Sequence, residues 1–285
     1  MNIPYYRQAG SNDADEKPGC HTSEARESLD RRKKNVLCTS ITPRNWERAY
    51  GYSSPLQIIL WCHMEKVLGI CGSPRGEQSR TLRLVNAVMR GAADAGASCE
   101  VVDVCALDIE FCIGCGVCYE RGACIHEDDF LFLYHQMMEA DGIVFGSPVY
   151  INSVSAQMKR VLDRMADSIH CQKFEGKYGC SVSTAGGSFA KEVVDYQNSV
   201  LQILGATTVG GVDVVLGGYP KALESAEKKA YDLGMLLVNA IRDRTRYPDQ
   251  DLMHAEMKER MRTLVSYNKD TWIHEYTYWN EKGGL

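Results

Sequence analysis

Short apolar runs alternate with amphipathic segments over most of this chain, and that alternation limits the folds it can form. The run KVLGIC at 66–71 is short and apolar with a glycine directly behind it, which is typical of a buried parallel strand. In residues 79–96 the apolar side chains recur at helical spacing, and Gly96 ends the predicted helix. Its apolar face carries Leu82, Val85, Val88, Met89 and Ala92.

The same alternation continues toward the carboxyl terminus. Further strands are predicted at 99–104, 142–148, 178–184 and 208–215, and further helices at 127–140, 155–167, 193–205 and 221–243. Successive strand–helix units pair their strands in parallel through right-handed crossovers, and their helices cover both faces of the sheet. The sequence therefore predicts an α/β protein with a doubly wound, five-stranded parallel sheet.

Composition and charge exclude several classes of protein. Of the 285 residues, 45% are hydrophobic and 24% are charged, as in ordinary globular proteins with a core. The formal net charge is −5 without a long basic patch, so nucleic acid is not an expected partner. No apolar run reaches the roughly 20 residues that span a membrane. Because no export signal is found, the 12 cysteines are expected to be reduced thiols in the cytoplasm.

Residues 1–63 differ from the rest of the chain. They are polar, often charged and nearly free of periodicity, which predicts a poorly ordered or atypical extension before a folded domain at 64–285. Met64 directly precedes the first predicted strand. Our hypothesis is that translation of the native protein begins at Met64, and an intact-mass measurement that finds residues 1–63 would contradict it.

The loop GSPRGEQSRT at 72–81 follows the first strand and leads into the first helix. A helix amino terminus offers free N–H groups and a positive dipole end, so the loop is suited to an anion such as phosphate. Ser73, Ser79 and Thr81 add hydroxyl donors and Arg75 adds positive charge. The loop matches neither the ATP-binding nor the dinucleotide-binding glycine motif. The alternative is an ordinary helix start that Ser79 caps.

Two further strand ends carry similar loops, SPVYINS at 147–153 and STAGGS at 183–188, and ligands of parallel sheets bind at such ends. In order, GSPRGEQSRT, GSPVYINSVSAQMKRVLDR and STAGGS resemble the flavodoxin-like NADPH-dependent FMN reductase superfamily, and the resemblance covers about 64–285. It implies that the first loop, through Ser73, Arg75, Ser79 and Thr81, holds the FMN phosphate. It implies flavin-ring contacts from Pro148, Val149, Tyr150, Asn152, Ser153, Thr184, Gly186 and Gly187. For Tyr150 a core aromatic is the alternative.

Four cysteines lie within the segment FCIGCGVCYERGAC at the spacing C-x2-C-x2-C-x5-C: Cys112, Cys115, Cys118 and Cys124. Thiolates at this spacing can wrap one face of a four-iron cluster and close it with the fourth. Gly114 and Gly116 relieve the crowding of so tight a loop. Structural zinc sites usually pair two C-x2-C units across a longer gap, so zinc is the weaker alternative, and a loop without metal is another. His126 is expected to be a solvated loop residue.

Within the superfamily, this cysteine loop at 112–124 resembles the iron–sulfur flavoprotein subgroup, which implies one [4Fe–4S] cluster beside FMN. The leading interpretation is an FMN-dependent oxidoreductase or electron-transfer flavoprotein whose cluster relays single electrons between a ferredoxin-type partner and FMN. The flavin supplies the chemistry, so no catalytic acid or base is expected. The acceptor is expected to be a small molecule such as oxygen, peroxide or a quinone.

Two other interpretations stay open. One is a cluster-free NAD(P)H-dependent FMN or quinone reductase, and the other is a zinc-stabilised binding module without flavin. The resemblance also implies a homodimer or homotetramer. The aromatic residues of the predicted helical tail then lie either at a subunit interface or against their own domain: Trp272, Tyr276, Tyr278 and Trp279.

Overall fold

The computed structural model describes residues 64–218 and 221–284, and the predicted extension at 1–63 lies outside the described residues. The described part contains one sheet of five strands in the order β2-β1-β3-β4-β5, and all neighbouring pairs are parallel. The strands are β1 Lys66–Cys71, β2 Ser98–Asp103, β3 Gly142–Pro148, β4 Tyr178–Ala185 and β5 Thr207–Val215. The predicted fold class is confirmed, and each strand bound lies within one residue of its prediction.

Helices connect the strands and continue beyond the last one. They are α1 Arg80–Asp94, α2 Val117–Arg121, α3 Asp129–Glu139, α4 Ala156–Asp163, α5 Ala166–His170, α6 Ala190–Ile203, α7 Ala222–Asp243, α8 Pro248–Tyr267 and α9 Ile273–Glu281. Two short 3-10 turns lie at Gly76–Gln78 and Val104–Ala106. No helix among the described residues is both long enough and apolar enough to cross a membrane.

Alternate side chains of each strand enter two separate cores, because successive residues of a strand point to opposite faces. On one face Val67 and Val144 pack under α1 and α7. On the other face Leu68 and Ile143 pack under α3, α4 and α6. The three central strands β1, β3 and β4 are therefore buried on both sides, which explains why their sequences are continuous apolar runs rather than alternating patterns.

The prediction of a single helix at 155–167 is wrong, because the structure has two helices there, α4 and α5. At the break, the Arg164 and Met165 amides donate to the carbonyls of Val161 and Leu162, at 3.2 Å in both cases. These bonds reach back three residues instead of four and tighten the helix end into a 3-10 turn. The break turns the Arg164 side chain inward, where it is 4% exposed.

Helices α1 and α7 approach each other closely through two glycines. A Cβ atom on Gly91 would lie 1.9 Å from the Tyr231 carbonyl oxygen, and one on Gly234 would lie 1.9 Å from the Val88 carbonyl oxygen. Neither contact is possible for a real side chain, so both positions require glycine for this helix spacing.

Replacing Gly234 by alanine is expected to lower the free energy of unfolding by about 1–3 kcal/mol. In a helix interior, alanine is normally about 1 kcal/mol more favourable than glycine. The steric clash with α1 is expected to outweigh that gain in stability. Urea unfolding measures the change, with Asn239→Ala at an exposed position of α7 as the matched control. A Gly234→Ala protein as stable as that control would contradict the close approach of the two helices.

Candidate functional site

The first predicted loop, residues 72–81, is held rigidly at the carboxyl end of β1. Its Gly72 amide donates to the Gly146 carbonyl at 2.8 Å, and its Gly72 carbonyl accepts from the Ser155 hydroxyl at 2.5 Å. The Ser79 hydroxyl caps α1 by accepting from the Leu82 amide at 3.0 Å. The predicted alternative for Ser79, a helix cap, is therefore what the structure shows, and its oxygen already has a partner.

Hydrogen bonds join the three predicted loops to one another. The hydroxyls of Thr81 and Thr184 lie 2.7 Å apart, and both residues are buried. The Val149 amide donates to the Thr184 carbonyl at 2.9 Å. Because Thr184 contacts the other two loops at once, it fixes the mutual placement of all three.

The second loop contains a tight turn in which Tyr150 and Ser153 exchange backbone hydrogen bonds of 2.9 and 3.1 Å. The two residues between them, Ile151 and Asn152, have positive φ angles of 48° and 60°. A β-branched residue in this region is strained, so the turn is held by its surroundings. The turn leaves Ile151 98% exposed and places Tyr150 at the mouth of the site.

A cavity of about 170 Å³ lies where the three loops meet. It is lined by eight of the predicted residues: Ser73, Arg75, Thr81, Pro148, Val149, Tyr150, Thr184 and Gly186. Ser79, Asn152, Ser153 and Gly187 are not part of its wall. Three wall residues were not predicted from the sequence: Arg80, Ala185 and Leu216. Arg80 could have been found, since it is a cationic residue in the first turn of α1.

The charge of this cavity favours an anion. Among the described residues, neither Arg75 nor Arg80 forms an ion pair with a carboxylate. Both arginines line the cavity beside the amino terminus of α1, whose free N–H groups also attract negative charge. Ser73 and Thr81 add nearly buried hydroxyl groups. The arrangement is therefore suited to a phosphate group.

A larger hollow of about 760 Å³ lies at the opposite, amino end of the strands. Two of its three cations are paired: Arg242 with Glu65 at 3.0 Å, and Lys66 with Glu139 at 3.5 Å. Size alone does not define a ligand site, and in parallel sheets ligands bind at the carboxyl ends of the strands. The smaller cavity is therefore the candidate site.

The cysteine loop lies between β2 and α3 and is shaped by glycines. Gly114, Gly116 and Gly122 have positive φ angles of 66°, 71° and 74°, and the last two flank the short helix α2. All four cysteines line one small cavity of about 30 Å³. Two of them, Cys112 and Cys115, are exposed, whereas Cys118 and Cys124 are half-buried. The spacing in sequence thus brings all four cysteines to the wall of one cavity.

The set of donors around this cavity is chemically suited to a metal group. Four-iron clusters are held by four cysteine thiolates, and four cysteines line this cavity. Among the described residues, no three Cys, His, Asp or Glu side chains are grouped closely enough to hold a single metal ion.

A buried ion pair anchors the cysteine loop. Arg164 donates to both carboxylate oxygens of Asp128, at 2.7 and 3.1 Å, and to the Glu110 carbonyl at 2.9 Å. Asp128 also caps α3 by accepting from the Phe130 amide at 3.1 Å. Burial raises the pKa of the Asp128 carboxyl, but the hydrogen bonds from Arg164 outweigh burial and hold that pKa below its usual value. The residues before and after the loop are therefore fixed to one charge pair.

The other side of the cysteine loop packs on the carboxyl-terminal helices. The ring of Tyr119 lies 4.8 Å from His170 and 4.9 Å from Trp272, measured between ring centroids. The Oε1 atom of Glu275 lies 2.9 Å from His170 Nδ1, and the Trp279 indole donates to the His170 carbonyl at 2.9 Å. Trp272 and Trp279 thus pack on their own domain, as one of the two sequence interpretations expected.

The expectation that His126 is a solvated loop residue is wrong. His126 is half-buried, its Nε2 atom is shielded from solvent, and the residue lines the cysteine cavity. The burial of its side chain comes from tertiary packing around the cavity, which the sequence pattern does not reveal.

Comparisons with known proteins agree with this description. A flavodoxin-like sheet with an anion site beyond its strands defines an α/β protein of the flavodoxin class. The family model described as NADPH-dependent FMN reductase matches residues 65–221. The chain belongs to this family and is an FMN-dependent oxidoreductase.

Several curated relatives are named iron-sulfur flavoprotein. One from Archaeoglobus fulgidus is 33% identical over 222 residues, which cover 76% of this chain and 99% of the relative. One from Methanocaldococcus jannaschii is 44% identical over 99 residues, which cover 35% of this chain and 51% of that protein. An NAD(P)H:quinone oxidoreductase from Methanothermobacter marburgensis shares the fold, with a TM-score of 0.51 and 17% identity over 61% of this chain and 98% of its own.

The bond between Thr81 and Thr184 is expected to show energetic coupling. Thr81→Val and Thr184→Val each leave one buried hydroxyl without its partner, which costs about 1–3 kcal/mol of unfolding free energy. The double variant removes both hydroxyl groups, so its loss of unfolding free energy is expected to be smaller than the sum of the losses in the two single variants. Urea unfolding of the four proteins gives the coupling energy, and strictly additive losses would contradict the bond.

Proposed function

We propose that this FMN-dependent oxidoreductase also carries one [4Fe–4S] cluster and relays single electrons between a ferredoxin-type partner and FMN. FMN exchanges one or two electrons, whereas the cluster exchanges one. The single observation that carries the proposal is the convergence of all four cysteines of the loop on one cavity. The names of the curated relatives support it, since those proteins are called iron-sulfur flavoproteins.

The proposed FMN site is the cavity where the three loops meet. Arg75, Arg80 and the amino terminus of α1 would hold the phosphate, since these two arginines line the cavity and have no carboxylate partner among the described residues. Tyr150 and Gly186 line the cavity at its exposed mouth and would contact the flavin ring. We also assign Asn152, Ser153 and Gly187 to the ring side, since their loops form the rim although they do not line the cavity.

The proposed cluster ligands are Cys112, Cys115, Cys118 and Cys124. Gly114 and Gly116 let the backbone curve around the cavity without side chains in the way, and a Cβ atom on Gly114 would meet no atom within 4 Å. The described cysteines are free thiols, which agrees with a reducing compartment, and we propose the cytoplasm. The protein's part is to hold the thiols and shield them, and no side-chain acid or base is required.

The flavin cavity and the cysteine cavity share no wall residue. A cluster-free NAD(P)H-dependent FMN or quinone reductase is therefore the second candidate, since the flavin site is complete without the cysteine loop. Iron and sulfide assays of anaerobically purified protein separate the two. About four irons per chain support the cluster, and flavin without iron leaves only the reductase.

We propose a homodimer or homotetramer that brings each cluster near a neighbouring FMN. Three large apolar side chains in and beside the cysteine loop are more than half exposed: Phe111 at 67%, Ile113 at 65% and Ile125 at 54%. Ile151, in the loop at 147–153 that we assign to the flavin site, is exposed as well. Exposed apolar groups of this kind favour a protein interface. Sedimentation equilibrium of the full chain tests the proposal, and a monomer at micromolar concentration would contradict it.

Replacing Arg75 by glutamine is expected to weaken FMN binding about tenfold or more, because one charge-assisted hydrogen bond contributes about 1.5–3 kcal/mol. Riboflavin has no phosphate, so its affinity is expected to stay unchanged. Flavin fluorescence titration of the apoprotein measures both ligands. An equal loss for FMN and riboflavin would show that Arg75 does not contact the phosphate.

Replacing Cys118 by serine is expected to abolish or strongly lower the iron and acid-labile sulfide content while the bound FMN remains. Cys99→Ser is the matched control, because Cys99 is a half-buried thiol of β2 outside the loop. That variant is expected to keep its iron. Full iron content in the Cys118→Ser protein would exclude Cys118 as a ligand.

A further inference from the structure

We propose that Arg164 tunes the cluster: its guanidinium donates a hydrogen bond and positive charge to the sulfur of Cys124 and thereby raises the cluster's reduction potential. This inference rests on the proposed function, because it requires a cluster on the cysteine loop. Arg164 does not bind the iron and is a positioning residue that acts through Cys124.

The first support is location. Arg164 and Gly116 line the same cavity as the four cysteines of the loop, including Cys124. It also lines a second cavity of about 100 Å³ on the neighbouring side of Cys124. With 4% exposure, Arg164 is nearly closed off from water, so its charge is poorly screened toward the thiols.

The second support is an unused donor. The two terminal nitrogens of Arg164 are occupied by Asp128 and by the Glu110 carbonyl. Within the part of the chain that the structure describes, the Nε atom is buried without a hydrogen-bond partner. A buried donor without a partner costs free energy, so a native protein is expected to supply an acceptor. A thiolate or cluster sulfur at Cys124 is such an acceptor.

The third support is the restricted position of the side chain beside the thiols. Cys118 and Cys124 line both of the cavities that Arg164 lines. Because the Phe130 ring lies 4.6 Å from the guanidinium carbon and the pair with Asp128 is bidentate, the side chain has little freedom to turn away.

The direction of the effect follows from charge. Reduction adds one electron to the cluster, and a nearby hydrogen-bond donor with positive charge stabilises the more negative state. Asp128 cancels part of the charge, so the donor and the charge must be separated by experiment. Removing Arg164 alone deletes the donor and also leaves the carboxylate unpaired, whereas removing both groups keeps the net charge.

The experiment is an EPR-monitored redox titration of the full chain with its cofactors, after iron and flavin assays. Arg164→Gln is expected to shift the cluster potential to more negative values, and Arg164→Gln with Asp128→Asn is expected to show a smaller shift in the same direction. The flavin potential is expected to stay unchanged. Arg160→Gln is the matched control on α4, because Arg160 lies one turn earlier and does not line the cysteine cavity.

The outcomes are distinct. A cluster potential in Arg164→Gln equal to that of the wild type overturns the inference. If the double variant has the wild-type potential, the shift in Arg164→Gln comes from charge alone, and the proposed hydrogen bond is overturned. Loss of iron from both variants, with iron kept in Arg160→Gln, assigns Arg164 to the folding of the loop and also overturns the tuning role. A wild-type protein without iron contradicts the proposed function instead.

Discussion

The parallel register of β1, β3 and β4 is the constraint on which the proposed flavin site depends. Cys71 lies beside Gly146, and Pro148 lies beside Thr184, so three strands end at one edge and their loops must meet there. The Thr81–Thr184 bond then joins two of these loops, and the Thr184 carbonyl joins the third. Negative charge is favoured at this edge because a helix amino terminus coincides with Arg75 and Arg80, which form no ion pair among the described residues.

The cysteine loop depends on a different interaction, the buried pair of Arg164 and Asp128. Both side chains are almost fully buried, at 1% and 6% exposure. Breaking such a pair by removing one partner typically costs about 3–5 kcal/mol, because the other charge stays buried and unpaired. Arg164 at the end of α4 binds both Asp128, the residue before α3, and the Glu110 carbonyl, and the cysteines lie in the chain between Glu110 and Asp128. The glycine-rich loop is thereby held at both ends.

Much of the fold could be predicted from the sequence, because buried parallel strands are short apolar runs with sharp ends. The three loops and the cysteine set were visible for the same reason, since each follows a strand. The break at Arg164 was not visible, because its cause is a partner 36 residues away in the chain. The burial of His126 and the entry of Leu216 into the cavity wall also depend on tertiary packing. The spacing of apolar residues along the chain does not indicate contacts between residues that are distant in the sequence.

The central claim is that electrons pass between a one-electron partner and FMN by way of the cysteine loop. Anaerobic stopped-flow mixing of reduced ferredoxin with the full chain, followed by flavin absorbance, tests it most directly. The wild type is expected to show rapid flavin reduction, whereas Cys118→Ser is expected to be reduced by dithionite but only slowly by ferredoxin. Equal rates with ferredoxin in the two proteins would show that FMN receives electrons directly and would contradict the relay.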